Sequence, residues 1–196
     1  MTGLREEKKR RTRQALIEAA LTLFDEQGFD GTTVAEIAAR AQVSPATFFN
    51  YFAAKEDVVF ADQHLFDQVL DEVFAAARPG EPVAELVPRT IGALATADEW
   101  SFPLDHPLTE VRTRLLAEVP ALRAGYLLRN AMVGDRWAEL LYEKCAPQLD
   151  RVEAAALTGA VFGALEAALR QETGGRNTTE VVLSVVDRVV HGFVPR

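Results

Sequence analysis

Apolar residues in this chain recur at helical spacing along nearly its whole length, and nowhere do they alternate at period two over the length of a strand. Between Thr12 and Gln27 they fall at Ala15, Leu16, Ala19, Ala20, Leu23 and Phe24. That recurrence puts one stripe of an α-helix against a core, and Gly28 supplies a C-cap after it. Thr33 and Glu36 are spaced as a capping box, which starts a second helix with Val34, Ile37, Ala38 and Ala41 on its buried side. Gln42-Val43 breaks it. Ser44 then stands as an N-cap with Pro45 at the first helical position, where a missing N–H costs nothing. The third helix is short and ends near Tyr51. A fourth is expected from Ala54-Lys55 to about Ala77, stopped by Arg78-Pro79-Gly80-Glu81-Pro82.

Further helices are expected at 83–96, 107–118, 121–145, 149–172 and 179–193, with Pro103, Pro107, Pro120, Pro147 and Gly174-Gly175 marking breaks. The Val-rich stretch from Val181 to Val190 also reads as a strand, but its length and the Asn177-Thr178-Thr179-Glu180 cap favour helix. The fold class is therefore all-α.

A chain that is 48% hydrophobic and 26% charged buries a real core, which excludes disorder. No uninterrupted apolar run approaches the ~20 residues needed to cross a bilayer. The charged start, MTGLREEKKRR, is followed by no signal-peptide core. Cys145 is the lone cysteine, so no internal disulfide forms. The expectation is a cytoplasmic protein with no membrane partner.

The net charge of −8 argues against nucleic acid for the chain as a whole, but it is unevenly spread. Residues 1–55 carry eight Lys and Arg against seven Asp and Glu, and residues 56–196 carry thirteen against twenty-two. Six of the cations crowd one arm: Arg5, Lys8, Lys9, Arg10, Arg11 and Arg13. A basic arm on a near-neutral head, joined to an acidic body, points to two functions in one chain.

Two short helices with a tight connection form a helix-turn-helix, the second being the recognition helix. At about 100° per residue, Phe48 and Phe52 share one side with Val43 and Ile37, while Ala46, Thr47 and Asn50 face the other. Phe49 and Tyr51 flank that outer face. Asn50 suits a bidentate bond to adenine, and the methyls of Ala46 and Thr47 suit contact with thymine. Thr33 and Lys55 lie at helix starts, where phosphate is favoured.

The segment TTVAEIAARAQVSPATFFNYFAAKEDVV resembles the helix-turn-helix of TetR-type (TetR/AcrR) transcriptional regulators over about residues 12–60. The resemblance implies an N-terminal three-helix DNA-binding domain over 1–54 and a C-terminal helical ligand-binding and dimerisation domain over 55–196. It further implies a homodimer that binds palindromic double-stranded operator DNA. Most members repress transcription and leave the operator when a small-molecule effector binds. Carried over by position, the DNA contacts fall on Thr33, Ser44, Pro45, Ala46, Thr47, Phe49, Asn50, Tyr51 and Lys55. Phe49 stands where the family often has Tyr, and Tyr51 where it often has His. The basic arm acquires a role on phosphates or in the minor groove.

The small residues Ala155, Gly159 and Gly163 lie at i, i+4 spacing on one side of the helix at 149–172, with Phe162 beside them. With Val182, Val186 and Val189 of the last helix they form the expected dimer interface, which a palindromic operator also requires. The family places the effector pocket among residues 55–145, where His64, Trp100, Phe102, His106, Tyr126, Met132 and Trp137 are candidates. Arg112, Arg114, Arg123, Arg129 and Arg136 are candidates for an anionic ligand or for a solvated, paired face. No hydrolase, zincin, P-loop or dinucleotide motif occurs. His64, His106 and His191 lack ligand spacing, so no metal, cofactor or catalytic residue is expected. The alternative is a helical small-molecule carrier or enzyme whose head is only structural.

Overall fold

A computed structural model describes residues 2–171 and 175–193. Among the described residues there are ten helices and no strand. They are α1 (Thr2–Gln27), α2 (Val34–Arg40), α3 (Pro45–Phe49), α4 (Lys55–Val59), α5 (Gln63–Ala76), α6 (Val83–Ala95), α7 (Pro107–Glu118), α8 (Pro120–Cys145), α9 (Arg151–Leu169) and α10 (Thr178–Phe193). Glu172, Thr173 and Gly174, where a break is expected before the last helix, lie outside the described residues. The chain divides into two compact units: residues 1–62 with 106–126, and residues 63–105 with 127–196.

The first unit is built on α1, which touches α2, α4 and α7. Because three helices surround it, α1 buries more than one stripe: Ile17 and Leu21 are sealed along with Leu16, Ala20 and Phe24. Gly28, at φ 82°, ends the helix with its N–H on the Phe24 carbonyl. The arm expected before Thr12 is helical, the opening turns of α1 itself.

The helix expected over 54–77 is two helices, α4 and α5, parted at residues 60–62. No Pro or Gly marks the break. At the break the Arg13 guanidinium donates to the Ala61 carbonyl, a tertiary bond from α1. Next to it the Asp62 carboxylate is buried and held by Arg112 at 2.6 Å.

In the second unit α6 packs on α5 and α10, and α10 on α9. Leu70, Phe74, Leu86, Val87, Trp137, Leu141, Leu157, Val161 and Val190 belong to one core. Cys145 sits in that core, and burial, then the charge of Glu81, pushes its thiol up to about 11. Two buried polar atoms there lack a partner: Trp137 Nε1 and Thr158 Oγ1. Asp150 caps α9 reciprocally with Glu153, and Asn177 Oδ1 accepts from the Glu180 N–H at 3.1 Å to cap α10.

Uninterrupted apolar runs are short, yet α9 as a whole is long and apolar enough by length and composition to cross a membrane, with mean hydropathy 1.5. That value arises because Ala, Val and Leu outweigh Glu153 and Glu166. Its Ala154, Leu157 and Val161 face the core of the unit, and its Val152, Ala155, Ala156, Gly159 and Gly163 are exposed.

Candidate nucleic-acid interface

Local sequence chemistry builds the connection between α2 and α3. The Thr33 hydroxyl accepts from the Glu36 N–H at 3.3 Å, and the Glu36 carboxylate accepts from the Thr33 N–H at 2.8 Å and from its hydroxyl at 2.7 Å. Those bonds hold the Glu36 carboxyl below its ordinary 4.5. At the far end of α2, the Val43 N–H reaches the Ala38 carbonyl and the Gln42 N–H the Ala39 carbonyl. This is the paired closure of a Schellman turn, and it needs a left-handed residue at its corner. Gln42 fills that corner at φ 57°, a position usually taken by glycine.

Ser44 then starts α3, accepting from the Thr47 N–H at 3.1 Å, and the two hydroxyls lie 2.9 Å apart. Phe48 is fully buried, its ring 5.7 Å from that of Phe52 and edge-on to Phe49 at 5.5 Å. With Phe48 anchored, the opposite side of the helix is presented to solvent. Ser44, Pro45, Ala46 and Asn50 are exposed, Thr47 and Tyr51 half-buried. Phe49 is 57% exposed, an unusual state for a phenyl ring.

Beside this face lies a groove of about 810 Å³. One wall is the start of α1, with Arg5, Glu6, Lys8, Lys9 and Thr12. The other holds Gln42, Val43, Thr47, Asn50 and Tyr51. Three cations of α1 therefore share a concavity with the polar residues of α3. The remaining basic residues are less uniform. Arg11 pairs with Glu7, while Arg13 turns inward to Ala61 and Asp62.

Lys55 also turns inward. Its ammonium donates to the carbonyls of Phe29 at 2.7 Å and Thr32 at 2.9 Å, and lies 4.5 Å from the centre of the Phe29 ring. Two of its three N–H groups thus serve the loop between α1 and α2, where the sequence predicts a phosphate contact. Thr33, whose hydroxyl serves the capping box, is exposed immediately before α2.

The expected pocket residues are divided between the two units, His106 and Tyr126 in the first and the others in the second. Trp137 and Phe102 are buried, and the Trp137 ring lies 5.5 Å from that of Phe162, tilted by 35°. Trp100 is half-buried, edge-on to Phe66, with its indole N–H on the Leu94 carbonyl. His64 is exposed, and Met132 is 66% exposed. His106 accepts from the Leu108 N–H and caps α7, and Tyr126 lies in the first unit under Arg123. Among the expected dimer residues, Ala155, Gly159 and Gly163 are exposed while Phe162 and Val189 are half-buried. Val182 and Val186 are consumed by the core of their own unit, because α10 packs inward on both α6 and α9. No group of three or more His, Cys, Asp or Glu able to hold a metal occurs among the described residues.

A family model described as bacterial regulatory proteins, tetR family, matches residues 16–61, and one described as MftR C-terminal domain matches residues 103–194. The HTH-type transcriptional regulator TcmR of Streptomyces glaucescens is 35% identical over 154 residues, covering 76% of this chain and 66% of that protein. The chain belongs to the tetR family of bacterial regulatory proteins. Another relative is the HTH-type transcriptional regulator BetI of Rhizobium meliloti, 34% identical over 90 residues, 45% of this chain and 44% of that one. The chain spans two thirds or less of the length of these curated relatives. Solved TetR-like folds include the fatty acid degradation regulator FadR of Bacillus halodurans. Its TM-score is 0.63 at 21% identity, covering 92% of this chain and 95% of that one. FadR of Thermus thermophilus, a transcriptional repressor solved with lauroyl-CoA, has a TM-score of 0.56 at 26% identity, covering 94% and 96%. The curated relatives are named as HTH-type transcriptional regulators, which are not enzymes.

Proposed function

We propose that this TetR-family protein is a ligand-responsive repressor in the cytoplasm that binds a palindromic operator as a homodimer and leaves it when a small-molecule effector binds. The observation that carries the reading is the outer face of α3, exposed at Ala46, Phe49 and Asn50 and bordered by a groove holding Arg5, Lys8 and Lys9. A folded chain gains nothing internally from presenting an amide and a phenyl ring together on a buried anchor. Duplex DNA uses both.

In this reading residues 1–54 bind DNA and residues 55–196 bind effector and partner. Asn50 reads adenine, and Ala46 and Thr47 meet a thymine methyl. Ser44, Pro45 and Tyr51 sit against the phosphate walls, with Phe49 as an apolar contact and Thr33 at the edge. Arg5, Lys8 and Lys9 neutralise phosphates. Lys55 acts chiefly by holding the frame. The exposed small-residue face of α9 (Ala155, Gly159, Gly163) receives the same face of a second copy, with Phe162 and Val189 at its margin. That close approach suits helices lacking bulky side chains. The Thermus thermophilus relative with lauroyl-CoA supports a small-molecule response in a fold of this kind.

Selection from random duplex DNA by the full chain tests the reading. Enrichment of a two-fold symmetric sequence, with half-sites about one helical turn apart and affinity falling with salt, is the expected result. Recovery of no symmetric sequence overturns it.

A further inference from the structure

Of the five arginines on α7 and α8, four are surface groups or have partners. Arg114 pairs with Asp25, and Arg136 with Asp67 and Asp71. Arg123 lies over Tyr126, and Arg129 is also engaged. Arg112 is different. Its side chain is only 12% exposed, and its Nη1 donates to Asp62 Oδ2 at 2.6 Å. Its Nε and Nη2 are sealed from solvent and have no acceptor. Those two N–H groups project side by side from one edge of the guanidinium, the spacing that matches two oxygens of a carboxylate or phosphate. Burying two N–H groups without an acceptor is costly, and native proteins seldom do so without cause.

The charges around this edge point the same way. Asp62, 3% exposed, is shared between Arg112 and Arg13, whose Nη1 lies 3.9 Å from Oδ1. Two buried or half-buried cations therefore face one carboxylate. Burial first, and then the charge of Arg112, lowers the Arg13 pKa, and Asp62 opposes them. One more anion balances the set.

We propose that the Nε–Nη2 edge of Arg112 is a binding site for the carboxylate or phosphate of a small-molecule effector. The proposal rests on the ligand-responsive reading above and names the chemistry of that ligand. An anion on this edge leaves the Nη1 bond in place and acts on Asp62 by like-charge repulsion. Asp62 in turn holds Arg13 of α1, whose opening turns form one wall of the groove beside α3. The site thus bears on the DNA-facing surface through a single carboxylate.

Binding of octanoate, octyl phosphate, inorganic phosphate and neutral octan-1-ol to the full chain is measured by calorimetry and by thermal shift, without DNA. Octanoate or octyl phosphate should bind and octan-1-ol should not. Binding by inorganic phosphate alone assigns the site to a free anion, and binding by the octyl anions alone assigns it to an amphiphile. Arg112→Lys keeps a cation beside Asp62 but loses the paired N–H edge, so anion affinity should fall about tenfold or more. Asp62→Asn removes the neighbouring negative charge and should raise anion affinity. Failure of every anion to bind, equal binding of octan-1-ol, or unchanged affinity in both variants overturns the proposal. DNA binding is read separately. A chain that binds no operator but still binds octanoate through Arg112 keeps this site and loses the repressor reading.

Discussion

Lys55 donates to the carbonyl of Thr32 across 2.9 Å, so the first residue of α4 closes the loop that leads into α2. A second bond to Phe29 and the contact with its ring make the ammonium a structural pin. Replacing Lys55 by Met should destabilise the protein by about 1.5–3 kcal/mol, the range for hydrogen bonds to a charged group. Affinity for all DNA sequences should fall together as the frame loosens. Urea unfolding beside operator and non-operator titrations checks both. A variant of unchanged stability whose salt slope drops by the equivalent of one phosphate would return Lys55 to the DNA.

Asn50 and the α1 lysines should separate readout from attraction. Asn50→Ala should relax preference at one base pair per half-site by about 1–3 kcal/mol and leave the salt slope alone. Lys8→Gln with Lys9→Gln should weaken every sequence and flatten the salt slope by about 1 for each phosphate no longer neutralised. Salt titrations on two operators differing at one position distinguish the two behaviours.

Gln42 sits in left-handed backbone that glycine adopts without steric cost. Gln42→Gly should therefore stabilise the protein by about 0.5–1 kcal/mol, read as a higher urea midpoint at constant slope. Since Gln42 also lines the groove, an accompanying loss of DNA affinity would mean that strain is retained there for contact.

Thr158 holds a buried hydroxyl with no partner. Thr158→Val keeps the shape and removes the orphan, so stability should rise by about 1 kcal/mol. A fall in melting temperature would reveal a partner for that hydroxyl.

Acid should loosen the first unit through two carboxylates. Glu26 is held below its ordinary 4.5 mainly by Arg40, and Glu36 by Thr33. Both are depressed in the folded state, so their contribution is complete above 4.5 and is lost as pH falls through the folded values. Amide exchange at the α2 start followed below pH 4.5 should show this loss, and Glu36→Gln should remove the α2 part of it.

The helix boundaries near α2 and α3 are legible in the sequence because their causes are local: Thr33 and Glu36 are three residues apart, as are Ser44 and Thr47. So is the outward face of α3, because Phe48 and Phe52 anchor the side opposite to it. The break at 60–62 is not legible, since the bonds found there come from Arg13 and Arg112, each about fifty residues from its partner in sequence. The inward role of Lys55 is hidden for the same reason. Val182 and Val186 match an interface pattern, and periodicity alone does not say which neighbour a stripe will meet. The expected pocket residues, Met132 apart, share only aromatic character, which core and binding site hold in common.

Cys145 is the lone thiol of the chain, buried and protonated well above neutrality. Alkylating dyes should pass it by at pH 7. One cysteine introduced on the outer face of α3 or at the start of α1 would then carry the whole label, and the spacing of the two copies of α3 in the proposed homodimer could be followed by optical ruler without first removing a native sulfur.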